Sequence, residues 1–212
     1  MNLGRSVAEA LLQGQVAPLG EIVDLVGAGV YAIYYVGDFG PYRPVARDNA
    51  GGAFAQPIYV GKAVPKGARK GGLAFDAGSG RALRDRLRQH AASIDEAVNL
   101  NLPDFYFRSL VIDDTWIPLG ENMLIERFKP IWNLVIDGFG NKDPGKRRAT
   151  QFKSQWDVLH PGRKRAEKLA DSGLSPAALI ARLEEYFAGQ AVPLISAEEA
   201  ADIGATEDDE EE

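Results

Sequence analysis

Two short runs rich in valine, isoleucine and tyrosine, GVYAIYYVG at residues 29–37 and PIYVG at 57–61, do most to limit what this chain can fold into. β-Branched and aromatic side chains suit a pleated, half-buried surface, so both runs read as strands. Between them, residues 38–56 hold prolines and glycines and few periodic apolar positions, which predicts a long loop. The pair is therefore expected to form an elaborated hairpin. DFYFRSLVI (104–112) adds a third strand.

Helical spacing fills the gaps. A first helix is expected over residues 7–13, with Ser6 as N-cap and Glu9 closing a capping box. Leu83, Leu87, Ala91 and Ile94 recur at helical intervals over about 81–98, behind Ser79 as a cap. A helix from about Gly120 to Phe128 stops before Pro130. A charged helix is expected at about 163–170, and another, capped by Ser175 with Pro176 in its first turn, runs to about Tyr186. Strands and helices interleave, which gives an α+β class. The organisation expected is a helical arm (1–28), a core (29–136) with its insertion (38–56), a basic loop with helical extension (137–187), and an acidic, disordered tail (188–212).

The 212 residues are 45% hydrophobic and 25% charged, so wholesale disorder is excluded. The absence of cysteine rules out a disulfide scaffold, a thiol nucleophile and a thiolate-ligated metal. Two histidines, His90 and His160, are too few for an all-histidine cage. No apolar run reaches the ~20 residues of a membrane span, and the first residues do not resemble a secretory signal. A cytoplasmic location is the expectation. The net charge of −6 conceals a division: residues 1–28 carry −2, residues 29–170 carry +7 and residues 171–212 carry −11. A basic body suits a polyanionic partner.

Five features then occur in one order: Gly29-Val30-Tyr31; Tyr59-Val60-Gly61-Lys62; Arg86 with His90; Glu121; and Pro130 with Asn133. Singly, each has a plain structural role, such as a core aromatic, a solvated arginine or a turn asparagine. Together and in sequence over residues 29–133, they resemble the GIY-YIG nucleases. Both triplets carry valine in place of the family's central isoleucine. The insertion, His90 one turn after Arg86, FGNKDPGKRR and SQWDVLHPGR (154–163) are similar to the small stand-alone type II restriction endonucleases of that superfamily.

The resemblance implies a small three-stranded, mostly antiparallel sheet flanked by helices. It also implies a sequence-specific, metal-dependent endonuclease acting on double-stranded DNA and leaving 5′-phosphate and 3′-hydroxyl ends. Tyr31 is then the general base, tuned by Lys62 and His90, and Tyr59 orients water or phosphate. Arg86 stabilises the transition state, and Asn133 braces the Glu121 helix or a phosphate. Glu121 holds one Mg²⁺, or Mn²⁺, a hard ion that needs few protein ligands. It is expected at a helix start, where the macrodipole favours a carboxylate. Arg86 and His90, at i and i+4, share a helix face.

Lys66, Arg69, Lys70, Lys146, Arg147, Arg148 and Lys153 are candidates for phosphate contacts, and Arg43 and Arg47 for base edges. His160, beside Pro161 and Gly162, reads as a turn residue. Cutting both strands of a palindrome calls for a homodimer, with a DNA methyltransferase as genetic partner. The competing readings are a repair or mobile-element nicking nuclease and a non-catalytic DNA-binding regulator.

Overall fold

The computed structural model describes residues 3–22, 24–64, 80–141 and 152–195. Its centre is an antiparallel sheet of strands β1 (Ala17–Pro18), β2 (Gly29–Tyr35), β3 (Tyr59–Ala63) and β4 (Phe105–Val111), in the order β1-β4-β2-β3. The three expected strands are present, and the two-residue β1 joins as a fourth at the edge beside β4. Every residue of β2 is buried, as befits a strand covered on both faces. The α+β class and the hairpin between β2 and β3 hold.

One face of the sheet carries helices α1 (Leu3–Gln13) and α4 (Ile117–Phe128). Ala8, Leu11, Leu124 and Ile125 are buried there, and Gly120 lets the backbone of α4 lie close to Val7, Val30 and Ile112. The other face is aromatic. It packs Tyr31, Ile33 and Tyr35 of β2 against α3 (Ala82–Asp95) and against Trp132 and Phe139.

Several boundaries depart from expectation. Helix α1 starts at Leu3, so Ser6 lies inside it rather than at its cap; Leu3 and Arg5 are good helix formers and extend the helix upstream. The insertion is not a plain loop: Arg43–Asn49 form helix α2, with Pro44 in the first turn, where its missing N–H leaves no bond unmade. Helix α3 has Arg81, not Ser79, at its N-cap, and Ser79 lies outside the described residues. It ends at Asp95, beyond which the Val98 N–H donates to the Pro161 carbonyl.

Pro118 opens α4 rather than preceding it, so that helix begins three residues early. Short helices α5 (Ile131–Leu134) and α6 (Gln155–Leu159) escaped the sequence reading, the second capped by the Ser154 hydroxyl. The charged segment is a 3-10 turn, Lys164–Lys168, and the Ser175-capped helix is α7 (Pro176–Phe187). Of the expected tail, residues 188–195 run without helix or strand, and the Ile195 N–H donates to the Leu134 carbonyl.

Candidate active site

Strand register brings the two tyrosines together. Tyr31 pairs with Gly61 and Ile33 with Tyr59, so both phenols point to the aromatic face from neighbouring strands, with ring centroids 6.2 Å apart. Gly61 makes the room: a Cβ there would strike the Tyr31 hydroxyl. Helix α3 lies over this face with Leu83, Leu87, His90 and Ile94 inward. His90 Nε2 sits 2.6 Å from the Tyr31 hydroxyl. One turn earlier, the Arg86 guanidinium opposes the rise of both phenols and donates from Nη2 to the Gly140 carbonyl at 2.5 Å.

Burial governs the ionisation of this cluster. It raises the Tyr31 phenol well above the usual tyrosine range; the Tyr59 phenol and the Glu121 carboxylate add to the rise, and Arg86 opposes it. Tyr59 is raised to about 12, again chiefly by burial and against Arg86. Burial likewise lowers His90 well below the usual imidazole range, helped by Arg86, Arg163 and Arg165. At neutral pH the short contact therefore joins a neutral phenol to a neutral imidazole.

Glu121 enters from α4, in its second turn rather than at its start, so the macrodipole has little hold on it. Its partner is Lys62: Nζ stands 2.9 Å from the carboxylate, and both side chains are almost wholly buried. Lys62 pairs in register with Val30, which puts it on the sheet face opposite Tyr31. Lys62, expected to tune Tyr31, thus lies on the other sheet face, in contact with Glu121. Because residue alternation is strict along a strand, a lysine one position after Gly61 must change faces. The Glu121 charge nevertheless raises both phenols.

Asn133 also departs from its expected place. Its side chain accepts from the Val60 N–H and donates to the Val60 carbonyl, each at 2.9 Å, pairing with edge strand β3 as a neighbouring strand would.

The family model of the Eco29kI GIY-YIG domain matches residues 24–187. The chain belongs to this family of GIY-YIG nucleases. It carries the domain of a restriction-endonuclease-like DNA nuclease. No curated protein is matched by the chain.

GIY-YIG nucleases typically use divalent metals. In this member, no group of three or more His, Cys, Asp or Glu able to hold a metal occurs among the described residues. The nearly buried Glu121 carboxylate, whose charge raises both phenols, offers a hard oxygen donor. That fits an ion such as Mg²⁺, which keeps several waters and takes its remaining ligands from substrate phosphate.

Among the expected DNA contacts, Arg43 and Arg47 are exposed on α2 and Lys153 is half-buried. Lys66, Arg69, Lys70, Lys146, Arg147 and Arg148 lie outside the described residues. No helix among the described residues is long and apolar enough to cross a membrane.

The sequence reading missed a supporting layer. Phe139 stacks on His90 with centroids 4.6 Å apart and planes at 20°. Arg163 is fully buried rather than part of an exposed helix start. His160 closes α6 and is wholly buried, its Nε2 2.6 Å from the Tyr42 hydroxyl. The signal for these lay in Phe139, Trp156, His160 and Arg163, large side chains set in otherwise polar runs.

Proposed function

We propose that this GIY-YIG nuclease is a sequence-specific type II restriction endonuclease that hydrolyses phosphodiesters of double-stranded DNA with one divalent ion per active site. The observation that carries the reading is the 2.6 Å contact between the Tyr31 hydroxyl and His90 Nε2, in a cluster that also holds Tyr59 and Arg86 and feels Glu121. A phenol that burial keeps protonated is a poor base alone. A neutral imidazole protonated at Nδ1 changes that, because Nε2 can accept the phenol proton as Tyr31 takes one from water.

Arg86 then grips the non-bridging oxygens, whose charge grows toward the transition state. Tyr59 orients the water or the phosphate. Lys62 holds the Glu121 carboxylate, and Asn133 fixes the strand that bears Tyr59 and Lys62. Glu121 would hold Mg²⁺ or Mn²⁺, which when bound would supply positive charge to the scissile phosphate. The P–O3′ bond breaks, the departing 3′-oxygen takes a proton from water, and the products are a 5′-phosphate and a 3′-hydroxyl. A palindromic site is served by a homodimer, with Arg43 and Arg47 reaching base edges and Lys153 reaching phosphate. A methyltransferase protecting the same site is the genetic partner.

Purified protein incubated with unmethylated plasmid and Mg²⁺ should release discrete double-strand fragments, and EDTA should prevent it. Nicked circles alone would favour a single-strand nuclease; tight DNA binding without cutting would favour a regulator.

A further inference from the structure

The cluster of Tyr31, Tyr59, Arg86 and His90 rests on a short backbone run, residues 138–140. Phe139 lies flat on His90 and sets its edge against Tyr59, with centroids 4.9 Å apart and planes at 79°. The Gly140 carbonyl accepts from Arg86. Gly140 itself passes so close to the Tyr59 hydroxyl that no side chain fits there.

This run is in turn held by one buried guanidinium. Arg163, 1% exposed, donates from Nη1 to the Phe139 carbonyl at 3.2 Å and from Nη2 to the Gly138 carbonyl at 3.0 Å. Asp157 Oδ1 lies 2.6 Å from both its Nε and its Nη2, and the Trp156 ring lies 4.5 Å beneath it. The other Asp157 oxygen accepts from the Ser154 hydroxyl at 2.6 Å. A buried ion pair gives little net stability compared with well-packed apolar groups. What a planar fork supplies is geometry: two successive carbonyls fixed in orientation by one rigid group.

We propose that Arg163, held by Asp157, is a positioning residue for phosphodiester cleavage, acting through Phe139 on His90 and through Gly140 on Arg86. The proposal rests on the nuclease reading of the site. It predicts that a small displacement of residues 138–140 lowers turnover without weakening DNA binding.

The test compares Arg163→Lys and Phe139→Leu with the wild-type protein on a plasmid that the wild type cuts. Lysine keeps the charge opposite Asp157 but cannot hold both carbonyls, and leucine keeps apolar bulk but removes the ring stack. Both should keep the wild-type circular dichroism spectrum, lose about a hundredfold in kcat and keep KM within about twofold. In Phe139→Leu the imidazole ¹⁵N resonances of His90, on which the ring stacks, should move further than those of His160, which packs on Phe139's neighbours Trp132 and Trp156.

A folded Arg163→Lys that cuts at the wild-type rate overturns the proposal. If that variant does not fold, Phe139→Leu decides: wild-type kcat with unmoved His90 resonances overturns it equally. A wild-type protein that cuts no plasmid counts against the nuclease reading instead, and the His90 resonances alone then judge the positioning.

Discussion

The molecule contains two tyrosine–histidine pairs of the same length on the same face of its sheet. Tyr31 meets His90 Nε2 at 2.6 Å, and Tyr42 meets His160 Nε2 at 2.6 Å. Phe139 and Trp132 bridge them: Phe139 stacks on His90, Trp132 packs on Phe139, and Trp132 Nε1 donates to the Tyr42 hydroxyl at 2.8 Å. Burial raises both phenols and lowers both imidazoles.

They differ in what surrounds them. The Tyr42 hydroxyl already accepts from Trp132, so its own proton goes to His160, whose Nδ1–H is held 2.9 Å from Asn99 Oδ1. Each partner there is neutral and fixed, and the pair reads as a structural knot. Around Tyr31 stand a second phenol, the half-buried Arg86 and the field of Glu121. A short tyrosine–histidine bond is therefore not itself a sign of chemistry. The second phenol, the Arg86 cation and the Glu121 field around Tyr31 are what set that pair apart.

Tyrosine-to-phenylalanine exchange should separate the two most sharply. Tyr31→Phe should lower cleavage by about a thousandfold or more with the fold kept, the scale of a lost general base. Tyr42→Phe should leave the rate within a few-fold and cost about 1–3 kcal/mol of stability, because Trp132 and His160 lose their shared partner. A Tyr42→Phe protein that is fully stable but inactive would break the contrast.

Next in size is the charge beside the site. Glu121→Gln should lower cleavage by about a hundredfold, while a gel-shift assay in Ca²⁺ still shows specific DNA binding. Full activity in this variant would remove Glu121 from the metal. Glu121→Ala should also destabilise the fold, since nearly buried Lys62 loses the carboxylate that lies 2.9 Å from its Nζ.

Acid probes both pairs at once. Burial holds His160 down at about 3, and His90 also lies well below its ordinary value. The unfolded chain therefore takes up these protons at a higher pH than the folded one. Their neutral burial carries no penalty above the unfolded imidazole value of ~6.5. Below it each histidine should cost up to ~1.4 kcal/mol per pH unit, until the folded groups themselves titrate. The Tm should accordingly start to fall below about pH 6.5, ahead of the carboxylate range. His160→Gln should flatten the decline, and a Tm constant down to pH 5 would show that the histidines are not buried neutral.

What the sequence made legible follows from periodicity. Alternation along GVYAIYYVG and PIYVG fixes which side chains share a sheet face, and the i, i+4 spacing of Arg86 and His90 fixes a helix face. Tyr31, Tyr59, Arg86 and His90 are brought together by those rules plus one strand register. The same alternation, carried one residue past Gly61, already implied that Lys62 faces away from Tyr31. The helix boundaries were less legible, because prolines such as Pro44 and Pro118 open a helix as readily as they precede one.

By itself, then, the chain determined its three longer strands, the inward face of α3 and the family pattern, since these depend on local stereochemistry and short-range spacing. Tertiary structure alone decided that Lys62 belongs to Glu121, that Asn133 closes the edge of β3, and that Arg163 reaches back 24 and 25 residues to the carbonyls of Phe139 and Gly138. The reason is physical. A buried charge must find a partner wherever packing puts one, and no local rule of the sequence says where that is.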